Sequence, residues 1–159
     1  MGEKIAQASL IISTLRDAGY KNTSYAVAEL VDNSIEAEAK NIDICIESGE
    51  QLVNQTTSER IQKIAVFDDG IGMEKDILSK CLSFGWGTRL NNGTGLGKFG
   101  FGLKGASISQ ARRIEIYSWQ ENQTPNFIYL DIDEIIEQDT QELPDSELKE
   151  LSSDVRQFI

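Results

Sequence analysis

Three short motifs follow one another in this chain and carry residue types from which a catalytic site can be built. The first contains Glu29 and Asn33, the second contains Asp68, and the third is a glycine-rich run from Gly93 to Gly102. A carboxylate can activate water, an amide oxygen can bind a metal ion, and a second carboxylate can accept a hydrogen bond from a base. Glycine-rich backbone can surround phosphates. Together the motifs predict a site for ATP.

The first motif, Glu29-Leu30-Val31-Asp32-Asn33, lies on a helix that we expect to begin at the capping residues 22–24 and to end near Ala39. Glu29 and Asn33 are four residues apart and therefore share one face. There Glu29 is the candidate general base, and the Asn33 oxygen is a hard, neutral ligand suited to Mg²⁺. The alternative is an ordinary amphipathic helix with a solvated acidic face. The opposite face is an apolar stripe of Val27, Leu30, Val31 and Ile35.

The second motif follows a predicted strand from Ile61 to Phe67. An ionised Asp68 only accepts hydrogen bonds, so it suits the exocyclic amino group of adenine. Gly70 and Gly72 allow the backbone to approach a flat ring, and Met73 adds a soft apolar contact. The alternative is that Asp68 is an ordinary turn residue.

The third motif belongs to a segment with six glycines between residues 93 and 105 and leads into a predicted helix. Free backbone N–H groups and the positive end of a helix favour phosphate at such a place. The pattern differs from the Walker A loop, which ends in Gly-Lys-Ser/Thr, and it lacks the setting of a dinucleotide fingerprint. The alternatives are a linker for the glycines and a solvated surface for the two lysines. The candidate nucleotide-binding residues here are Gly97, Lys98, Phe99, Gly100, Phe101, Gly102 and Lys104.

Helices and paired strands alternate irregularly along the chain, which predicts an α+β sandwich with helices on one face of a mixed sheet. The segment 48–60 is polar and is expected to be a loop, and 84–99 is expected to be a mobile loop. After Asp131 the pattern weakens. The other predicted elements are helices at 5–18, 74–83, 100–111 and from a cap at 144–146 to about 158, and strands at 42–46, 112–119 and 127–130.

The composition fits one domain of 159 residues, with a net charge of −11 that lies almost entirely in residues 115–159. Non-specific binding to nucleic acid requires a basic surface, so we expect no direct nucleic-acid binding by this 159-residue segment. The chain has no histidine, which excludes histidine-based catalysis, histidine-ligated zinc and a phospho-accepting histidine within it. We expect an ATP-binding domain over residues 1–131 and an acidic linker, or the start of a further domain, over residues 132–159.

No apolar run is long enough to span a bilayer, and we find no cleavable leader, so no membrane association is expected. Cys45 and Cys81 both lie in apolar patterns and are expected to be reduced core residues. These features favour a cytoplasmic protein.

Over roughly residues 5–130 the three motifs resemble the N, G1 and G2 boxes of the GHKL superfamily, the Bergerat-fold ATPases. This superfamily includes the gyrase B subunit, Hsp90, MutL, histidine kinases and the MORC proteins. The first motif with the following Ile42-Asp43-Ile44 is most similar to MutL-like and MORC-like sequences, and residues 97–102 are more similar to Hsp90-like and MORC-like ones. The resemblance implies a two-layer Bergerat sandwich in which residues 84–99 form a flexible ATP lid.

The resemblance also implies roles for the motif residues and for the protein. Glu29 would be the general base, Asn33 would coordinate Mg²⁺, and Asp68 would bind the adenine amino group, with Gly72 and Met73 near the base. Gly97, Gly100 and Gly102 would carry the triphosphate. Lid closure in such proteins commonly drives dimerisation, so ATP and ADP would act as a switch with slow turnover in an ATP-dependent homodimer. MORC-like and MutL-like relatives suggest DNA-linked work, such as chromosome maintenance or defence against foreign DNA.

Two departures from the family pattern leave alternatives open. A threonine on a later strand, which usually supports the adenine aspartate, cannot be placed here, and neither can the γ-phosphate lysine of a second domain. We therefore expect a part of a longer protein, weakly active alone. One alternative is a histidine-kinase-type phosphotransfer domain, against which Glu29 and the lack of a preceding histidine-bearing helix argue. The other is a sensor that binds ATP without hydrolysing it.

Overall fold

The computed structural model describes residues 8–18, 20, 22–83, 102–121, 123–140 and 142–156. None of the helices within these ranges has both the length and the apolar character needed to cross a bilayer. In chain order the elements are α1 (Ala8–Ala18), α2 (Thr23–Glu36), β1 (Ile42–Val53), β2 (Thr56–Asp68), α3 (Lys75–Cys81), α4 (Gly102–Gln110), β3 (Arg113–Ser118), β4 (Asn126–Asp131), α5 (Ile132–Gln138), β5 (Glu147–Leu148) and α6 (Ser153–Arg156).

Helix α2 begins where its capping residues predict. Asn22 is the N-cap, and its side chain accepts a hydrogen bond from the backbone N–H of Ser24 at 2.8 Å. The helix ends at Glu36 rather than near Ala39, because Glu38 has a left-handed backbone with a φ of 63°. Such a conformation cannot continue a right-handed helix.

The buried face of α2 differs from the predicted apolar stripe. Ala26 and Ser34 are buried, Leu30 is half-buried between them, and Ile35 is 59% exposed. The prediction that Ile35 faces the interior was therefore wrong. The buried residues are spaced by four and include two small side chains, which lets α2 pack closely against α4.

Strands β1 and β2 form a long antiparallel hairpin in which Ile42 pairs with Asp68 and Val53 pairs with Thr56. Asn54 and Gln55 make the two-residue turn with φ values of 50° and 65°. Turns with two positive φ values match the twist of paired strands. The predicted loop over 48–60 was therefore wrong, because this polar segment continues both strands and contains their turn.

Strands β3, β4 and β5 form a second sheet, which is also antiparallel. The predicted pairing of β3 with β4 is confirmed, with Ile116 opposite Ile128. The α+β class is confirmed as well, and every pairing among the described strands is antiparallel, in sheets of two and three strands.

One hydrophobic core joins α1, α3, α4, β3, β4 and α5. Its most buried side chains are Ile12, Leu78, Leu82, Ile108, Ile128 and Leu130. Burial of large aliphatic side chains from distant segments is the main favourable term in such a fold. The helix predicted at 74–83 is present as α3, and Leu78, Cys81 and the following Leu82 are buried.

The region after residue 131 also contributes to this core through Ile132 and Ile135 of α5. Asp131 caps α5 by accepting hydrogen bonds from the backbone N–H groups of Asp133 and Glu134. The predicted final helix up to residue 158 was wrong over most of its length, because residues 147–148 pair with β4 and α6 covers only residues 153–156. The domain boundary at residue 131 stays a prediction.

Helix α4 is held in place from both sides. The Arg16 guanidinium donates to the carbonyl oxygens of Ile108 at 3.2 Å and Ala111 at 3.0 Å, where a helix end leaves carbonyl groups unpaired. Thr23 at the start of α2 donates to the side-chain oxygen of Gln110 at 2.7 Å. These contacts fix the direction of α4, so that its first residue, Gly102, lies against α2.

Candidate functional site

The Glu29 carboxylate lies at the amino-terminal end of α4. It is half-buried, and a Cβ atom on Gly102 would come within 2.8 Å of its Oε2 atom. A side chain at residue 102 would require the carboxylate to move. The structure thus brings together the first motif and the last glycine of the third motif. Tyr20 also lies near the Glu29 carboxylate: burial, followed by the interaction with Glu29, raises the pKa of Tyr20, and the sequence did not predict this pair.

Asn33 is exposed one turn further along α2. Its Nδ2 atom donates to the backbone carbonyl of Glu29 at 2.7 Å. Because the amide nitrogen is engaged on the helix, the amide oxygen is left for another partner. Within the described part of the chain, no group of three or more His, Cys, Asp or Glu side chains can hold a metal ion. A single amide oxygen suits Mg²⁺, which takes few protein ligands and keeps several waters.

Asp68 is the last residue of β2, and its side chain is hydrogen-bonded directly to α2. Its Oδ2 atom accepts a hydrogen bond from Ser34 Oγ at 2.8 Å, and its Oδ1 atom accepts one from the backbone N–H of Gly70 at 3.0 Å. Each oxygen of an ionised carboxylate has two lone pairs, so the group can still accept from a ligand. Ser34 is only 3% exposed and was missed from the sequence. The one signal in the sequence for the burial of Ser34 was its position four residues after Leu30, on the same face of α2.

The turn after Asp68 packs on the end of α2. Ile71 donates its backbone N–H to the carbonyl of Ala37 at 2.9 Å. A Cβ atom on Gly70 would lie 2.7 Å from that same carbonyl oxygen and 2.9 Å from Asp68 Oδ1. Gly70 therefore allows the backbone to pack closely on the end of α2, and its approach to a flat ring stays a prediction.

Gly72 and Met73 contact the end of β3. Gly72 has a φ of +67°, and a Cβ atom there would lie 2.0 Å from the carbonyl oxygen of Trp119. The backbone N–H of Met73 donates to Ser118 Oγ at 2.8 Å, and the Met73 side chain packs against the core. Contact of these two residues with a purine stays a prediction.

The neighbouring carboxylate of Asp69 has a different task. Its oxygens accept from the backbone N–H groups of Lys40 and Asn41 and from the Asn41 side chain, at 2.7–2.8 Å. Hydrogen bonds from Asn41, followed by the one from Lys40, hold the pKa of Asp69 below its usual range. Asp69 therefore ties the segment between α2 and β1 to the end of β2, whereas Asp68 remains at the candidate site.

Lys104 lies inside the protein rather than on its surface. It is 2% exposed, and its Nζ atom donates to the carbonyl of Ser83 at 2.5 Å. Burial lowers the pKa of Lys104, and the Cys81 thiol lies near it. Burial also raises the pKa of Cys81 to about 12, so the thiol stays protonated at neutral pH. The alternative of a solvated Lys104 was therefore wrong, and its binding to phosphate stays a prediction.

Several predicted site residues fall outside the described part of the chain. They are Gly97, Lys98, Phe99, Gly100 and Phe101, together with the predicted lid over residues 84–99. Their roles stay predictions. Apart from Lys104, the described site residues lie on α2, on the turn that packs on its end, or directly against α2.

Comparison with known proteins agrees with this arrangement. Residues 20–158 match the family described as "Histidine kinase-, DNA gyrase B-, and HSP90-like ATPase". The chain is 36% identical over 104 residues to the DNA mismatch repair protein MutL of Buchnera aphidicola subsp. Schizaphis graminum (strain Sg). The aligned region covers 62% of this chain and 16% of MutL.

Two eukaryotic relatives are similar over nearly the same extent. Identity to ATPase MORC2B of Mus musculus is 31% over 98 residues, covering 61% of this chain and 9% of the relative. Identity to Protein MICRORCHIDIA 3 of Arabidopsis thaliana is 30% over 93 residues, covering 52% and 13%. The chain thus covers only 9–16% of the length of these three relatives.

The match extends over most of the chain and includes the residues that meet along α2. The predicted closeness to MutL-like and MORC-like sequences is confirmed. This chain belongs to the histidine kinase-, DNA gyrase B- and HSP90-like ATPases, the ATP-binding GHKL family.

Proposed function

We propose that this chain binds ATP with Mg²⁺, hydrolyses it slowly, and uses the bound nucleotide as a conformational and dimerisation switch. One observation carries the proposal. Helix α2 holds Glu29 beside the first residue of α4, and five residues later it holds Ser34 on the Asp68 carboxylate. A single helix therefore fixes the spacing between a candidate base and a candidate purine acceptor.

The amino terminus of α4 is the proposed place for the triphosphate. The first backbone N–H groups of a helix have no partner within it, and the helix dipole is positive there. Glu29 lies at this end, so a water held between its carboxylate and the γ-phosphate can lose a proton to Glu29 as it attacks. The bond from water oxygen to phosphorus forms while the bond to the bridging oxygen breaks, which yields ADP and phosphate.

Mg²⁺ fits the donor that α2 presents. In this proposal the side-chain oxygen of Asn33 holds the ion, because the amide nitrogen is already engaged with the Glu29 carbonyl. When bound, the ion would neutralise charge on the phosphate oxygens.

Asp68 is proposed to select adenine. Adenine presents an amino group where guanine presents a carbonyl oxygen. The carboxylate can accept from the amino group, whereas an acceptor facing the guanine oxygen is repelled. The hydrogen bonds from Ser34 and Gly70 hold the Asp68 carboxylate in one orientation. We therefore expect ATP to bind more tightly than GTP.

The wider role is inferred from the relatives and from charge. One relative is a DNA mismatch repair protein, and we propose a DNA-linked or defence process for this protein too. Residues 115–159 are strongly acidic, so DNA would be reached through other domains or partners. Cys45 and Cys81 are not joined in a disulfide, which supports a reducing compartment, and we place the protein in the cytoplasm.

Replacing Glu29 tests the hydrolysis step. We expect Glu29→Gln to leave ATP affinity unchanged and to lower the rate of phosphate release by about 10²–10⁴-fold, the usual value of a positioned base. The matched control is Glu50→Gln, an exposed carboxylate on β1. Phosphate release and the binding of a non-hydrolysable ATP analogue are measured for all three proteins.

The same experiment separates the alternatives. Wild-type protein that binds the analogue but releases no phosphate would be a nucleotide sensor. Transfer of labelled phosphate to a partner protein without release would indicate a phosphotransfer domain. Unchanged release in Glu29→Gln would contradict the assignment of the base.

A further inference from the structure

We propose that Tyr20 is the positioning residue that holds the Glu29 carboxylate in its reactive orientation; this inference rests on the proposed role of Glu29. Helix α4 carries two glycines three residues apart, Gly102 and Gly105, which therefore share one face. A Cβ atom on Gly102 would meet Glu29 Oε2 at 2.8 Å, and one on Gly105 would meet Tyr20 Cε2 at 3.7 Å. The Glu29 and Tyr20 side chains thus both lie against the face of α4 that is formed by these two glycines.

The backbone of Tyr20 is fixed to the far end of the same helix. Its carbonyl oxygen accepts a hydrogen bond from Gln110 Nε2 at 3.0 Å. The side-chain oxygen of Gln110 accepts from Thr23 at 2.7 Å, and Thr23 is the first residue of α2. Gln110 therefore connects the backbone of Tyr20 with the start of α2, the helix that carries Glu29.

In this proposal the Tyr20 hydroxyl donates a hydrogen bond to the Glu29 carboxylate. Burial, then the hydrogen bond to Glu29 and its negative charge, raise the pKa of Tyr20 above the ordinary value of 10.0. The phenol therefore stays protonated at neutral pH and remains a donor. It engages part of the carboxylate and leaves acceptor capacity for a water molecule.

A general base acts well only when it is held within hydrogen-bonding reach of the proton that it removes. Glu29 is half-buried on a helix, and a hydrogen-bond donor beside its carboxylate can fix the direction in which the carboxylate points. Tyr20 acts through Glu29 and donates no proton to the substrate, so its removal is expected to lower turnover without lowering affinity.

The test begins with Tyr20→Phe, which removes the hydroxyl and keeps the ring on Gly105. We expect kcat for phosphate release to fall by about tenfold, the value of one hydrogen bond to a charged group. The Kd for a non-hydrolysable ATP analogue with Mg²⁺ stays unchanged. The matched control is Tyr25→Phe, which removes a hydroxyl that is 69% exposed on α2, and we expect it to change neither quantity.

A double-mutant cycle shows whether Tyr20 acts through Glu29. In a Glu29→Gln background, Tyr20→Phe is expected to cause no further loss of kcat, because the group that it orients is already absent. A tenfold loss in both backgrounds would assign Tyr20 a separate role and overturn the proposal.

A second measurement needs no turnover. With ¹³C-labelled tyrosine, the ring carbon that bears the hydroxyl reports ionisation of Tyr20. The chain has four tyrosines, so the Tyr20 signal is assigned by elimination with Tyr25→Phe, Tyr117→Phe and Tyr129→Phe. We expect Glu29→Gln to lower the pKa of Tyr20, because a negative neighbour is removed. An unchanged pKa would show that the contact is absent and would overturn the proposal even if Tyr20→Phe failed to fold.

The outcomes separate this inference from the proposed function. If Glu29→Gln abolishes phosphate release and Tyr20→Phe changes nothing, the base stands and the positioning role fails. If Glu29→Gln leaves phosphate release unchanged, the base itself is wrong. The tyrosine titration then reports only whether the two side chains touch.

Discussion

Asp68 and Asp69 are adjacent carboxylates, yet their partners differ completely. Asp68 accepts two hydrogen bonds, from Ser34 and Gly70, whereas Asp69 accepts three, from Lys40 and Asn41. The motif predicted that Asp68 would bind the base, and the structure leaves this carboxylate available. Ser34 was unpredictable as its partner, because the two residues are 34 positions apart and meet only when β2 lies against α2.

Removing the Ser34 hydroxyl tests whether it orients Asp68. We expect Ser34→Ala to lower the free energy of unfolding by about 1 kcal/mol, the usual value of a lost hydrogen bond. We also expect ATP binding to weaken by about threefold to tenfold, because the Asp68 carboxylate loses a fixed donor. The measurements are urea unfolding and calorimetric titration with a non-hydrolysable ATP analogue.

The control for this prediction is Ser24→Ala, which alters an exposed serine on the same helix. It should bind the analogue like the wild type. If Ser34→Ala also bound normally while losing stability, Ser34 would support the fold alone and not the nucleotide site.

At the scale of elements, the starts of α2 and α4 were predicted better than the extent of the β1–β2 hairpin. The starts of α2 and α4 follow from Asn22 and from the glycine-rich run, because caps and glycines act locally. The two strands of the β1–β2 hairpin were predicted too short. Residues 48–60 are polar on both faces and lack the alternation of a half-buried strand. The two halves of this segment form strands because they pair with each other. Periodicity within one segment does not reveal such pairing.

Asp69 joins two elements, and its contribution to stability depends on pH. The folded protein lowers the pKa of Asp69, so folding favours the ionised form. The contribution is fully present above the unfolded pKa of about 4 and is lost as pH falls through the folded pKa. We expect Asp69→Ala to reduce stability at pH 7 and to reduce it less at pH 3, as measured by urea unfolding.

Asp43→Ala provides the comparison, because it removes an exposed carboxylate from β1 nearby. Its effect should be small at both pH values. A loss in Asp69→Ala that is the same at pH 3 and pH 7 would show that the charge on Asp69 is not what ties these elements together.

At the scale of the whole molecule, the sequence predicted which residues matter better than it predicted how they meet. The order of the three motifs was enough for the family, which the match over residues 20–158 confirms. The meeting of Glu29 with Gly102, and the burial of Lys104 on Ser83, depend on how α4 packs between α1, α2 and α3. Such contacts join residues about 20 to 70 positions apart, beyond the reach of local patterns.

The acidic end of the chain shows the same limit. Its charge predicted a solvated segment, but Ile132 and Ile135 are buried in the core and β5 extends the second sheet. The apolar side of α5 is short and lies among acidic residues, so composition hid it. A net charge of −11 repels a nucleic-acid backbone, so we still predict no direct nucleic-acid binding by this segment.

The central claim is that a purine nucleotide lies between the helix that carries Glu29 and the glycine-rich segment, with its base on Asp68. Calorimetric titration of the protein with a non-hydrolysable ATP analogue and Mg²⁺ tests it most directly, using wild type, Asp68→Ala and the adjacent Asp69→Ala. We predict saturable binding to the wild type, no binding to Asp68→Ala, and binding to folded Asp69→Ala. Absence of binding to the wild type, or equal binding to Asp68→Ala, would contradict the account.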